Sequence, residues 1–135
     1  MMRKVLAVAL VCLANLLAPA TAYAEWQLVS AEDGIFRAYA DPDTIRRAGS
    51  GVRMHGLLDF VRGDFTPDGR ALFSTRVYRE YDCVARRVRL LAYVDLAGRM
   101  GEGEAVAMSD KPGRWEAVSE SSLDERYLSL ACAAR

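Results

Sequence analysis

The chain has 135 residues, is 52% hydrophobic and balances 18 basic against 18 acidic residues. That length makes one small domain, and the charge balance excludes the basic footprint that nucleic-acid binding requires. One histidine and three cysteines leave little for a histidine-based nucleophile or a multi-ligand metal centre.

At the N-terminus, Arg3 and Lys4 precede an almost wholly apolar run, VLAVALVCLANLLAPA, followed by Ala22-Tyr23-Ala24. A positive head, an apolar middle and a small-x-small end predict a Sec-type signal peptide, residues 1–24, cleaved after Ala24. Pro19 and the small residues behind it leave the run short for a bilayer, so no membrane span is expected after cleavage. Cys12 does not read as a lipoprotein cysteine, because bulky Val11 precedes it and the apolar run continues past it. The mature domain is then residues 25–135. Without Arg3 and Lys4 it keeps 16 basic against 18 acidic residues, a net charge near −2, and Lys111 is its only lysine. The expected location is the periplasm or the medium; surface attachment has no lipobox to support it.

Short alternating runs broken by turn residues then predict an antiparallel sheet. WQLVS (26–30) and IFRAYA (35–40) read as strands around AEDG. DPDTIRRAG (41–49) carries helix signals, with Asp41 as cap, Pro42 in the first position and Gly49 as terminator, so one or two helical turns are expected. GVRMHGLLDFV alternates, with Val52, Met54, Leu58 and Phe60 on one face and Arg53, His55 and Asp59 on the other. RGDFTPDG is expected as a turn, with Asp68-Gly69 as its hairpin signal.

ALFSTRVYREYDC places Phe73, Val77, Tyr81 and Cys83 on one parity, whereas Val88, Leu90, Ala92 and Val94 are even. A continuous strand cannot switch its buried parity, so a turn or bulge is predicted between Cys83 and Arg87, with Arg86 and Arg87 at its tip. GRMGEG (98–103) reads as the next turn, EAVAMS as a strand and DKPGR as a loop leading to Trp115. SSLDERYLSLACAA is the clearest helix: Ser122 and Glu125 form a capping-box pattern, Asp124 sits in the first turn, and Leu123, Tyr127, Leu130 and Ala134 share a face.

The mature chain keeps Cys83 and Cys132, and an even pair in an exported domain predicts a disulfide. Closing a loop of about 50 residues is worth about 4 kcal/mol on the chain-entropy model. It ties the C-terminal helix to the end of a strand. The predicted fold class is α+β: an antiparallel sheet of about six strands with a C-terminal α-helix held by one disulfide.

EYDC followed by RRVRLL, then GRMGEGEAV, a lone Trp115, a serine-capped helix and a final cysteine resembles the surface-adhesin protein E family. DPDTIRRAGSGVRMHGLLDF is similar to its N-terminal half, so the resemblance spans nearly the whole mature chain. It implies the same small α+β fold and a non-enzymatic role, since the family is named for an outer-membrane adhesin that binds host extracellular-matrix proteins. The chain departs from the family pattern at His55, at DLAGRMG and at SES (119–121).

No catalytic, cofactor-binding or metal-binding residue is expected. His55 has no nucleophile at a meaningful spacing, and GRMGEG lacks the order and the following helix of a dinucleotide loop. ARRVRL (85–90) matches the X-B-B-X-B-X pattern of polyanion binders, which makes Arg86, Arg87 and Arg89 candidate binding residues. The alternative for them is a solvated turn. Arg62, Gly63 and Asp64 form an integrin-type tripeptide in a predicted loop, a three-residue match that turn composition alone can produce. The leading expectation is an exported, non-enzymatic binding or envelope protein, with a matrix protein or sulfated polyanion as partner. A periplasmic small-molecule-binding or inhibitor-like module is the alternative, and a homodimer through an edge strand stays open.

Overall fold

The computed structural model describes residues 25–133. The predicted signal peptide, Cys12 and Ala134 lie outside them. Strands β1 (Gln27–Ser30), β2 (Phe36–Ala48), β3 (Gly51–Phe65), β4 (Ala71–Asp82), β5 (Arg87–Leu96) and β6 (Ala105–Ser109) form one antiparallel meander in chain order. A two-residue strand, β7 (Glu116–Ala117), adds to the start of β5, and helix α1 (Leu123–Ala133) closes the chain. The predicted sheet and helix are both present, and Cys83 is bonded to Cys132 with their Cα atoms 5.9 Å apart.

Helix α1 lies across β1 to β4 on one face of the sheet. Tyr127, Leu128 and Ala131 pack there with Ala38, Ala40, Val52, Met54, Tyr81 and Val88 as the core. Small residues make the close approach possible. A Cβ on Gly56 would stand 3.4 Å from the Tyr127 ring, and the Tyr127 hydroxyl donates to the Tyr39 carbonyl at 2.8 Å. Ser122 caps the helix by accepting from the Glu125 amide at 3.1 Å. Leu123 and Leu130, expected on the buried stripe, are partly buried, while Leu128 and Ala131 carry more of it.

The segment 41–49 is not helical. β2 runs through it with a bulge, four residues between Asp41 and Arg46 facing the one residue, Met54, between His55 and Arg53. The Asp41 side chain accepts from the Asp43 amide at 3.2 Å, and the Thr44 hydroxyl donates to the Asp41 carbonyl at 2.6 Å. Those are the local bonds of a helix cap, used here to hold a bulge in which Pro42 owes the ladder no donor.

The tripeptide 62–64 is not in a loop either. It sits inside β3, where a second bulge separates the Asp59 and Asp64 pairings. Gly63 has φ +73°, and an added Cβ would lie 3.0 Å from the Phe73 ring. Backbone geometry and space therefore account for the glycine. Asp64 turns back to accept from the Phe65 amide at 2.8 Å.

Both faces of β3 are covered, which alternation alone does not convey. Leu57 is fully buried and Asp59 is 5% exposed on the side opposite α1. The connection after β5 folds over them: the Met100 amide donates to Asp59 at 2.8 Å, and Ser74 bonds both the Gly98 carbonyl and the Gly101 amide. The even-numbered face expected of β5 also breaks. A bulge at Leu91, opposite the step from Tyr78 to Arg79, transfers burial from Val88 to Leu91 and Leu96.

Gly63→Ala is expected to destabilise the fold by about 1–2 kcal/mol, from the left-handed backbone alone, and by more once the Phe73 contact is added. Gly69, at φ +85° with open space around it, supplies the control. Urea unfolding should rank Gly63→Ala below Gly69→Ala; equal losses would remove the packing argument.

Candidate functional site

The turn between β4 and β5, residues 83–86, holds the features singled out in the sequence. It is a tip, but a fastened one. Cys83 is bonded to α1, and the Ala85 amide donates to the Asp82 carboxylate at 3.0 Å. Arg86 sits at φ 53°, and its carbonyl accepts from Val118 at 3.0 Å. Val84, 87% exposed, is the apex. The Asp82 carboxyl is held below the usual aspartate range, first by the Ala85 amide and then by Arg87.

The three candidate arginines separate. Arg86 reaches back to α1 and pairs with Glu125 at 2.9 Å. This takes the glutamate of the predicted capping box, which stabilises the turn instead of its own helix start. Arg87 and Arg89 flank Val88, whose side chain enters the core under α1, so they occupy the opposite face. There both guanidiniums lie against one indole, 4.8 Å and 4.7 Å from the Trp115 ring centroid. β7 brings Trp115 to this position by pairing with Arg87 and Val88, together with the Gly113 amide donating to the Leu90 carbonyl at 2.7 Å.

Carboxylates from β4 complete the array. Arg87 pairs with Asp82 at 3.2 Å, and Arg89 reaches Glu80 at 3.4 Å. Arg53 of β3 meets the same Glu80 at 2.9 Å, which lifts the arginine's already high pKa further. Three guanidiniums thus face two carboxylates, and one positive charge is left over. Glu80 is the interior member, its side chain 9% exposed, whereas Arg87 is 45% exposed. Arginine suits this arrangement because a planar fork can stack on indole and bond a carboxylate edge at once.

The resulting surface is a rigid cationic ledge with an aromatic shelf. Sequence reasoning found its arginines but missed Trp115, Glu80 and Arg53. Their convergence depends on strand register, Arg53 opposite Glu80 and Glu80 opposite Arg89, which no local pattern announces.

A family model described as surface-adhesin protein E matches residues 26–133. The chain belongs to the surface-adhesin protein E family. Solved structures of Haemophilus influenzae protein E share its fold: one gives a TM-score of 0.64 at 16% identity, over 86% of this chain and 89% of that one. A second, from the non-typeable organism, gives 0.63 at 15% identity, over 85% and 80%. No curated protein matches in sequence. At such identities the likeness to protein E carries the fold and no more.

Elsewhere on this adhesin-family fold, His55 stacks on Tyr78 with ring centroids 4.3 Å apart. Burial lowers its pKa, Arg76 lowers it further and Asp41 opposes them. Among the described residues, no group of three or more His, Cys, Asp and Glu side chains is placed to hold a metal ion. No helix among them is long and apolar enough to cross a membrane.

Glu80→Gln should cost about 2 kcal/mol, the scale of a charge-assisted hydrogen bond, because Arg53 and Arg89 lose the negative charge they share. Urea unfolding of the variant checks this; a loss within error of zero would mean that the pairs are decorative.

Proposed function

We propose that this chain is an exported, non-enzymatic binding protein of adhesin type, directed to the periplasm or medium by residues 1–24, and that Arg87, Arg89 and Trp115 form its contact surface. The partner class is a sulfated polyanion of the extracellular matrix. What supports this is the placement of two arginines on one indole at 4.7 and 4.8 Å, partly exposed and already ordered. A surface fixed in advance loses little side-chain freedom on binding.

The internal carboxylates do not close the site. The outer pair, Arg87 with Asp82 at 3.2 Å, contributes little, and a polymer carrying many sulfates competes with that single aspartate. The odd guanidinium of the Arg53–Glu80–Arg89 group keeps the ledge positive although the mature chain is slightly acidic. Arg86 is assigned to the fold rather than to the partner, because its guanidinium lies on the helix side, 2.9 Å from Glu125, and not on the face that carries Trp115.

Heparin chromatography of the mature protein tests the reading. The double variant Arg87→Ala/Arg89→Ala should elute at clearly lower salt than the parent, and Arg86→Ala should elute close to the parent. Identical elution of all three, or no retention of the parent, would remove the ledge as a polyanion site.

A further inference from the structure

A second concavity adjoins the ledge and shares Arg89 with it. Because α1 covers the sheet only across β1 to β4, the face above β4 and β5 beyond it is left as a cleft of about 630 Å³. Its floor is formed by Thr75, Val77, Val88, Leu90 and Tyr93, and the segment leading into β7 makes the far wall. That volume falls within the usual range for small-ligand sites, about 300–1,000 Å³.

The charges around it behave unlike those of the ledge. Arg89 of the ledge lines the cleft too; its other charges are Arg79, Asp95 and Asp124, with Arg114 and Glu116 at the wall. Among the described residues, none of these other five enters an ion pair, although the arginines around the β4–β5 turn all do. Arg79 rests over the Tyr127 ring at 5.3 Å, and its Nη1, like the Nε of Arg89, is buried without a hydrogen-bond partner. Buried polar groups are rarely left so, and an unpaired one calls for an explanation. The phenols beside this guanidinium offer it no anion: burial pushes Tyr81 up to about 12 and Tyr127 higher still.

Register sets the spacing of the two ends. Thr75 faces Asp95, and its hydroxyl donates to that carboxylate at 2.7 Å; Arg79 faces Leu90, four residues along β4. Four strand residues span about 13 Å, the reach of an extended peptide of about three or four residues. We propose that the cleft binds a short extended peptide with free termini, its carboxylate at Arg79 and its ammonium group at Asp95. Asp124, on the first turn of α1, shares the Arg79 end. It works against a multiply charged anion and selects a single carboxylate. The apolar floor between the two ends accepts small side chains, and Arg114 and Glu116 put one charge of each sign at the wall.

Titration of the labelled mature protein with trialanine and tetra-alanine, followed by amide NMR shifts, tests the site. Saturable shifts are expected at Val77, Leu90 and Tyr93. Blocking either terminus should weaken binding by at least about tenfold, the scale of losing a charge-assisted contact. Arg79→Gln should remove the preference for a free carboxylate, and Asp95→Asn the preference for a free amine, so one folded variant suffices. Heparin retention of each variant confirms an intact ledge and separates this site from the polyanion reading. Absence of saturable shifts, equal binding of the doubly blocked peptide, or equal binding by inorganic sulfate would each overturn the proposal.

Discussion

An eleven-residue helix does not hold itself together in water, and α1 depends on what fastens it. One four-residue turn does most of this. Cys83 is bonded to Cys132 in the last turn of α1, and Arg86 pairs with Glu125 in the first. The β4–β5 turn therefore grips both ends of the helix, while Tyr127, Leu128 and Ala131 bury its middle against β2 and β3. With α1 fixed, the helix face of the sheet has a closed half and an open half. The open half is the peptide cleft. The same turn starts β5, which carries Arg87 and Arg89 out to the other face.

The two candidate surfaces separate by how their charges are settled. On the ledge, each arginine has a carboxylate within 3.4 Å and two of them an indole, so the surface is ordered before any partner arrives. In the cleft, opposite charges face one another across a span that neither crosses. A polymer with many weak contacts suits the first arrangement, and a small molecule with one charge at each end suits the second. The fold shared with protein E sets the framework and leaves the partner to these local arrangements.

Much of the framework was legible in the sequence because its signals are local. Alternation marked the strands, the Ser122 cap marked α1, and an even cysteine pair behind a predicted signal peptide marked the disulfide. The parity change after Cys83 located the turn, although the Leu91 bulge then shifted the face a second time. The misreadings share a cause. Asp41, Pro42 and Thr44 make the same bonds in a bulge as at a helix start, and Gly63 needs a positive φ in a bulged strand as much as in a loop. Local chemistry was read correctly in both places, and the element around it was not. Trp115, Glu80 and Arg53 escaped because only tertiary pairing brings them together.

Hydrogen exchange of the mature protein, before and after reduction of Cys83–Cys132, tests the role of the turn most directly. Amides of α1 and of residues 83–86 should lose protection by more than about tenfold on reduction, while those of β2 to β4 keep theirs. Unchanged protection in α1 would mean that packing alone holds the helix, and the turn would lose its place at the centre of the structure.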